Sequence, residues 1–332
     1  MLTVHVDLRA SHIARLAPAV AICLSAVALP SPLRGEDYKK DIQKAWADRE
    51  AQVGDLVMSV TMETMTATGA LNGKRGHDPT GGDSPAHDLH AARRVTLSVS
   101  GELRRLEYEG ETFNSSEQAR VPEKGVLVVQ QGGEVRKLAE YEPGGQTRLQ
   151  GTITSRAIEL EELRNRPMLD FCRPPIHQLD DFSVTGLGAS DDGGETIELT
   201  SADGARVLVV DPGRDYSIVR YSSENGPNGG LRNRGQLEVE YARDKTPGWA
   251  PKRWVATHHR RGRLVSRCVC EVEACRTNAS LDPGLFCLAF PSGAQVFDLL
   301  DPNMQVRYLY SEGGQRREIG RTRLARPTSA AR

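Results

Sequence analysis

Aromatic side chains are scarce: Phe, Trp and Tyr make up 5% of 332 residues, against 38% hydrophobic residues overall. A core with so few rings must rest mainly on aliphatic packing. An excess of one charge is missing too, since 43 Lys and Arg stand against 44 Asp and Glu, a formal net charge of −1. Nucleic acid is therefore not an expected partner, because phosphate binding needs a basic surplus. The motifs of common catalytic sites are also missing. There is no Gly-x-Ser-x-Gly elbow, no His-Glu-x-x-His pair and no phosphate loop; Gly73-Lys74 is followed by Arg75 where a Ser or Thr is required. The acidic pairs Asp180-Asp181 and Asp191-Asp192 fall in turns, where capping and solvation explain them. No catalytic residue, metal ligand or cofactor is assigned, and the chain is not expected to be an enzyme.

Long apolar runs are wanting as well. The run over residues 16–29 is shorter than the ~20 residues of a membrane span. It follows a basic start at Arg9, His12 and Arg15 and ends at Pro30 and Pro32. With the small residues Ala26-Val27-Ala28 it reads as an export signal over residues 1–35, cleaved between Leu29 and Asp37. The expected location is periplasmic or secreted, and the cleaved protein is not expected to be integral to a membrane. Cys23 follows Ile22 inside the run, which argues against a lipoprotein site.

What the chain has in quantity is glycine, 32 residues, and alternation. Residues 205–275 read as strands at 205–210, 216–222, 235–243, 251–258 and 263–275. Asp211-Pro212-Gly213, Thr246-Pro247-Gly248 and Arg260-Arg261-Gly262 supply turns between them. Leu237, Val239 and Tyr241 alternate with Gln236, Glu238 and Glu240, the mark of an antiparallel strand with one buried face. Short connections mean a meander, since parallel strands need long crossovers. Met58, Val60 and Met62 set a first strand, and Val95, Leu97 and Val99 the next, paired in a hairpin with 103–108. Further strands are expected at 126–131, 134–141, 147–154, 195–200, 285–290, 294–298, 305–310 and 315–319.

Two segments depart from this pattern. Residues 37–53 form an amphipathic helix with Tyr38, Ile42, Ala45, Trp46 and Val53 on one stripe, Trp46 being the anchor. Residues 155–164 are rich in Glu and Leu and helix-prone; Pro167 interrupts them before Met168, Leu169, Phe171 and Cys172. The organisation read from this is one domain over 36–320, a polar insertion at 69–89 and a frayed tail at 321–332.

Of six cysteines, Cys172, Cys268, Cys270, Cys275 and Cys287 lie beyond the export signal. Cys268 and Cys270 share one face of a strand, where a bond between them would be strained. Cys275 and Cys287 are the favoured disulfide partners, and the spacing favours a disulfide or buried thiols over zinc. His77, Asp78, Asp83, His87, Asp88 and His90 cluster in the insertion and read as solvated loop residues. His258-His259-Arg260-Arg261 is a basic hairpin tip.

Four phrases carry a resemblance: residues 44–50 (KAWADRE), 211–216 (DPGRDY), 249–254 (WAPKRW) and 290–298 (FPSGAQVFD). With the order of elements, they resemble the LolA/LolB-like superfamily of bacterial periplasmic proteins, which includes lipoprotein carriers and RseB-like sensor domains. The resemblance implies a mainly β fold with few helices. Its sheet would be large, curved and antiparallel, an unclosed β-barrel covered on its concave side by the first helix and a broken mid-chain helix. It implies a non-enzymatic binding protein with an apolar cavity for a lipid, acyl chain or lipoprotein. The alternative is a cell-envelope interaction or stress-sensor module acting on a protein partner through its surface. Each helix is about 10–12 Å across and strands lie about 4.8 Å apart, so two helices leave part of a wide apolar face uncovered. On that reasoning the ligand-binding candidates are Met58, Val60, Val95, Leu97, Leu237, Val239 and Trp254 on the sheet, with Leu160, Leu163, Met168 and Phe171 on the movable side.

Overall fold

The computed structural model describes residues 32–70, 85–114, 119–130, 132–142, 146–157, 160, 162–190, 193–224, 233–244 and 248–324. The alternation read from the sequence builds one sheet of 16 strands that does not close on itself. At its centre, β1 (Leu56–Thr66) pairs antiparallel with β2 (Leu89–Ser100) on one side and β13 (Arg263–Thr277) on the other. From β2 a meander continues through β3 (Leu103–Asn114), β4 (Ala119–Val129), β5 (Val135–Tyr141) and β6 (Arg148–Thr154). From β13 a second meander runs back through β12 (Trp249–Arg260), β11 (Asn233–Arg243), β10 (Ser217–Glu224), β9 (Arg206–Asp211) and β8 (Glu195–Ser201) to the edge strand β7 (Phe182–Ala189).

The far edge departs from a pure meander. β14 (Gln295–Asp298) joins β6 in parallel, followed by β15 (Met304–Tyr310) and the edge strand β16 (Arg316–Arg323). A parallel pair needs a long connection, and here the whole second meander lies between β6 and β14. The expected strand at 285–290 does not form. A 3-10 turn at Pro283–Phe286 and the residues after it cross the outer face of the sheet instead. Phe286 and Leu288 bury Val128 there, while Arg105 and Arg136 donate to the carbonyls of Leu285 and Leu288 at 2.9 and 3.2 Å. The apolar alternation was real, but it serves face packing, and arginine side chains take the carbonyls that a ladder would otherwise have satisfied.

The opposite face carries the helices. α1 (Pro32–Val53) starts earlier than expected, within the segment read as export signal, whose remaining residues lie outside the described ones. It packs on β7 and on a 3-10 turn at Ile176–Asp181. α2 (Arg166–Cys172) packs on β2 and β12. Pro167 sits in the first turn of α2 and opens the helix, contrary to the expectation that it interrupts one. A proline is tolerated there because the early helix N–H groups have no acceptor within the helix. Glu162 to Arg164, expected to be helical, form a bend and turns before it. The core between helices and sheet is filled: Trp46, Met168, Leu179 and Trp254 are fully buried, with Leu160 and Phe171 nearly so. The last strand continues to Arg323, beyond the expected end at Ile319, because Met304 of β15 pairs with it.

Candidate ligand site

Residues 162–166 form a strap over the helical face of the sheet, and a cavity opens on each side of it. Trp254 of β12 fixes the strap by donating its indole N–H to the Arg164 carbonyl at 2.7 Å. Within the strap Arg164 pairs with Glu162 at 2.5 Å. Arg166, at the start of α2, pairs with Asp170 one turn on at 2.8 Å and lies 4.2 Å from the centre of the Tyr221 ring. Burial pushes the Asp170 carboxyl above its usual range, with Arg166 opposing.

The larger cavity, about 580 Å³, lies between the strap and β10 to β13. Leu163, Arg164 and Arg166 form its roof, and Tyr221, Ala256 and Cys268 are among its walls. Gly235 makes room for the roof, since a Cβ there would stand 3.2 Å from Leu163 Cδ2. The smaller cavity, about 280 Å³, lies on the β1 to β5 side. Met62, Val95 and Leu106 give it an apolar floor; Arg93, Glu123, Lys137 and Arg164 surround them. Arg93 reaches Glu123 at 3.8 Å and lies 5.6 Å from the Tyr108 ring centre. Burial, with Arg164 nearby, lowers the Arg93 pKa, and Glu123 partly restores it. Burial likewise raises the Tyr108 phenol.

The residues expected to bind ligand are brought together, but inside the packing. Met58, Val60, Val95, Leu97, Leu160, Met168, Phe171, Leu237, Val239 and Trp254 belong to one continuous core, and Leu163 is half-buried against it. Of these, Val95 and Leu163 line the cavities. The charged rim was not anticipated. Its signal was present: Arg93 keeps the inward phase of Val95, Leu97 and Val99, and Lys137 the phase of Val135, so each places a charge on the helical face. Arg164 gave no such signal, because its position depends on a turn held by a distant tryptophan.

The described cysteines are all thiols. Cys268 and Cys270 point to the helical face with their sulfur atoms 3.7 Å apart. Thr64 donates its hydroxyl to Cys268 Sγ at 3.4 Å, and Cys270 Sγ lies 3.9 Å from the Arg164 carbonyl oxygen. The Cys270 hydrogen bond, then Thr64 and the cations Arg164 and Arg93, pull the Cys268 thiol down to about 7. Cys270 is pushed up by that same bond and by burial. Neither expected partner is at hand. Cys275 stands further along β13, about 17 Å from Cys270 and about 23 Å from Cys268 at roughly 3.3 Å per residue, and Cys287 belongs to the segment on the outer face. Cys172 is sealed in α2, its thiol pushed up to about 12 by burial. In the insertion, His77, Asp78 and Asp83 lie outside the described residues. Asp88 accepts from the backbone and hydroxyl of Thr68, at 2.8 and 2.9 Å, and so closes a loop. Among the described residues no three His, Cys, Asp or Glu side chains gather as a metal site. No helix of these residues is long and apolar enough to cross a membrane.

No family model matches the sequence, nor does any curated protein. Solved structures to which the chain is similar include a DUF1329 family protein from Desulfovibrio piger, at 12% identity and a TM-score of 0.46, over 78% of this chain and 98% of that one. A LolA superfamily protein from Nitrosomonas europaea matches at 12% identity and a TM-score of 0.41, over 75% and 97%. A putative outer membrane lipoprotein-sorting protein domain from Vibrio parahaemolyticus matches at 11% and 0.39, over 77% and 97%. The open, mostly antiparallel sheet with helices on one face is the architecture that the sequence resemblance implied.

Proposed function

We propose that the protein is an exported, non-enzymatic binding protein of the cell envelope, taking an acyl-bearing ligand with an anionic head. The carrying observation is the pair of cavities flanking one strap, both rimmed by arginine, the smaller floored by Met62, Val95 and Leu106 and the larger roofed by Leu163. Of their volumes, about 580 and 280 Å³, the larger falls within and the smaller just below the range of about 300–1,000 Å³ for small-molecule sites, a size for the acyl chain of a lipid or lipoprotein. Arg93 and Arg164 would meet a carboxylate or phosphate, which guanidinium groups recognise well. The chain would lie along Met62, Val95 and Leu106. A longer chain would displace Leu163 and Met168 and reach the expected binding residues Leu97, Leu237 and Val239 behind them. This reading needs no covalent chemistry.

The test is a titration of folded, delipidated protein with a dansyl-labelled fatty acid. The expected result is saturable binding, displaced by unlabelled fatty acid and weakened by Arg164→Ala. If folded wild-type protein binds no such probe, the carrier reading fails. The surface reading then takes its place, with the exposed arginine-rich edge strand β16 and its half-exposed Ile319 as the contact for a protein partner.

A further inference from the structure

The Cys-x-Cys pair of β13 is not used by the ligand reading above. Strand geometry sets its arrangement. Cys268 and Cys270 stand on the same face, opposite Thr64 and Met62 of β1 and opposite Ala256 and Trp254 of β12. The small Ala256 leaves Cys268 open to the larger cavity, and Trp254 closes over the Cys270 side. We propose that Cys268 and Cys270, with the Met62 thioether as third donor, bind one Cu(I) ion between their sulfur atoms, at the wall of this cavity.

Three observations carry the proposal. The first is spacing. A trigonal Cu(I) centre, with the Met62 thioether as third donor, holds its two thiolates at about 2.3 Å and about 120°, which sets the sulfurs about 4.0 Å apart. The pair already stands at 3.7 Å. A disulfide would need about 2.05 Å across residues that point the same way on an extended strand, where such bonds are strained. The second is donor type. Met62, a thioether, occupies the ladder position directly opposite Cys270, so the nearby donors are soft sulfur, the class that selects Cu(I). Zinc takes four ligands, and among the described residues no third His, Cys, Asp or Glu joins the two thiols. The third is charge. A bis-thiolate Cu(I) centre carries one net negative charge, and Arg164 and Arg166 line the same cavity as Cys268. Binding exchanges two S–H bonds for two thiolate S–Cu bonds, with the Met62 thioether donating a lone pair as the third; both protons pass to solvent, and copper remains Cu(I).

Reduced protein is titrated anaerobically with Cu(I) against bicinchoninate as competitor. The expected result is one equivalent bound per chain, with ultraviolet sulfur-to-copper charge transfer and slower alkylation of Cys268, the thiol open to the cavity, by iodoacetamide in peptide maps than in copper-free protein. Cys270→Ser loses the equivalent, whereas Cys287→Ser keeps it. The peptide map of wild-type protein decides the matter even if Cys270→Ser does not fold. Copper that leaves Cys268 as open to alkylation as in copper-free protein, or that binds equally to folded Cys270→Ser, overturns the proposal. The fatty-acid titration addresses the strap and is read on copper-free protein, so the two readings fail separately.

Discussion

The indole N–H of Trp46 donates to the main-chain carbonyl of Tyr216 at 2.8 Å. This bond joins two phrases far apart in the chain, the helical 44–50 and the turn 211–216. Asp215 and Tyr216 both have positive φ, 53° and 56°, a region that costs a non-glycine residue roughly 1–2 kcal/mol. α1 holds that turn. Besides Trp46, the buried Arg49 donates to the Asp215 carbonyl and to Ser217 Oγ at 2.5 and 3.0 Å. A third phrase meets them, with Arg214 lying 5.7 Å from the Trp249 ring centre. Three of the four stretches that carry the sequence resemblance thus form one structural knot.

Trp46→Phe keeps the ring and removes the donor, leaving the Tyr216 carbonyl without its partner. The expected loss of stability is about 1–3 kcal/mol, read as a lower urea midpoint with an unchanged slope. Asp215→Gly removes a positive-φ penalty and is expected to recover part of that loss in the double variant. An unshifted midpoint in Trp46→Phe would show that the turn holds without the helix.

The Arg166–Asp170 pair gives a prediction with a pH sign. Removing one partner of a buried pair costs about 3–5 kcal/mol, and Arg166→Met leaves Asp170 with its pKa raised further by burial. The folded state then holds a proton that the unfolded state has released, so stability falls as pH rises above the unfolded value of about 3.9. Arg166→Met is expected to melt higher at pH 5 than at pH 8. Adding Asp170→Asn should abolish that slope. Melting temperatures across this range check both.

These elements were unequally legible. Strand alternation located β1, β2 and the block from β10 to β13, and β9, buried on both faces, showed as a short apolar run between turns. β7 escaped notice: Gly186 and Gly188 dilute its pattern, and as an edge strand it is half-exposed. Residues 285–290 misled for the opposite reason, since Phe286, Leu288 and Phe290 alternate like a strand while packing on a sheet face. The parallel β6–β14 pairing left no local trace at all. At the site, the apolar floor followed from phase, as did the inward Arg93 and Lys137 once phase was applied to charged residues. The strap did not, because the Trp254–Arg164 bond spans ninety residues and has no local signature.

Gly125 of β4 is required by Tyr108. A Cβ at that position would lie 2.4 Å from the ring carbon Cζ and the phenol oxygen. Gly125→Ala must push the ring aside, and overpacking of this kind costs about 1–3 kcal/mol. In a Tyr108→Ala background the ring's share of that cost should disappear, leaving the 2.9 Å approach to the Leu138 carbonyl. A double-mutant cycle by chemical denaturation measures the coupling, and additivity would show that the ring moves freely.

The last prediction separates binding from folding at the strap. Phe171 is 2% exposed in the core, so Phe171→Ala is expected to cost about 3–5 kcal/mol, the usual range for a buried phenylalanine. Weakened fatty-acid binding in that variant would reflect a damaged core as readily as a damaged site. Leu163 is the better probe. It is half-buried, roofs the larger cavity and rests on Gly235, so its loss opens onto existing space. Leu163→Ala is therefore expected to keep a melting temperature close to wild type. Its effect on binding depends on where the acyl chain lies. A chain resting against Leu163 loses apolar contact, and burying about 50–70 Å² less surface corresponds to about 1.5 kcal/mol, or roughly tenfold in affinity. The titration is run on both variants beside thermal melts. Tenfold weaker binding in Leu163→Ala at unchanged melting temperature places the chain beneath the strap, and unchanged affinity removes the larger cavity from the site.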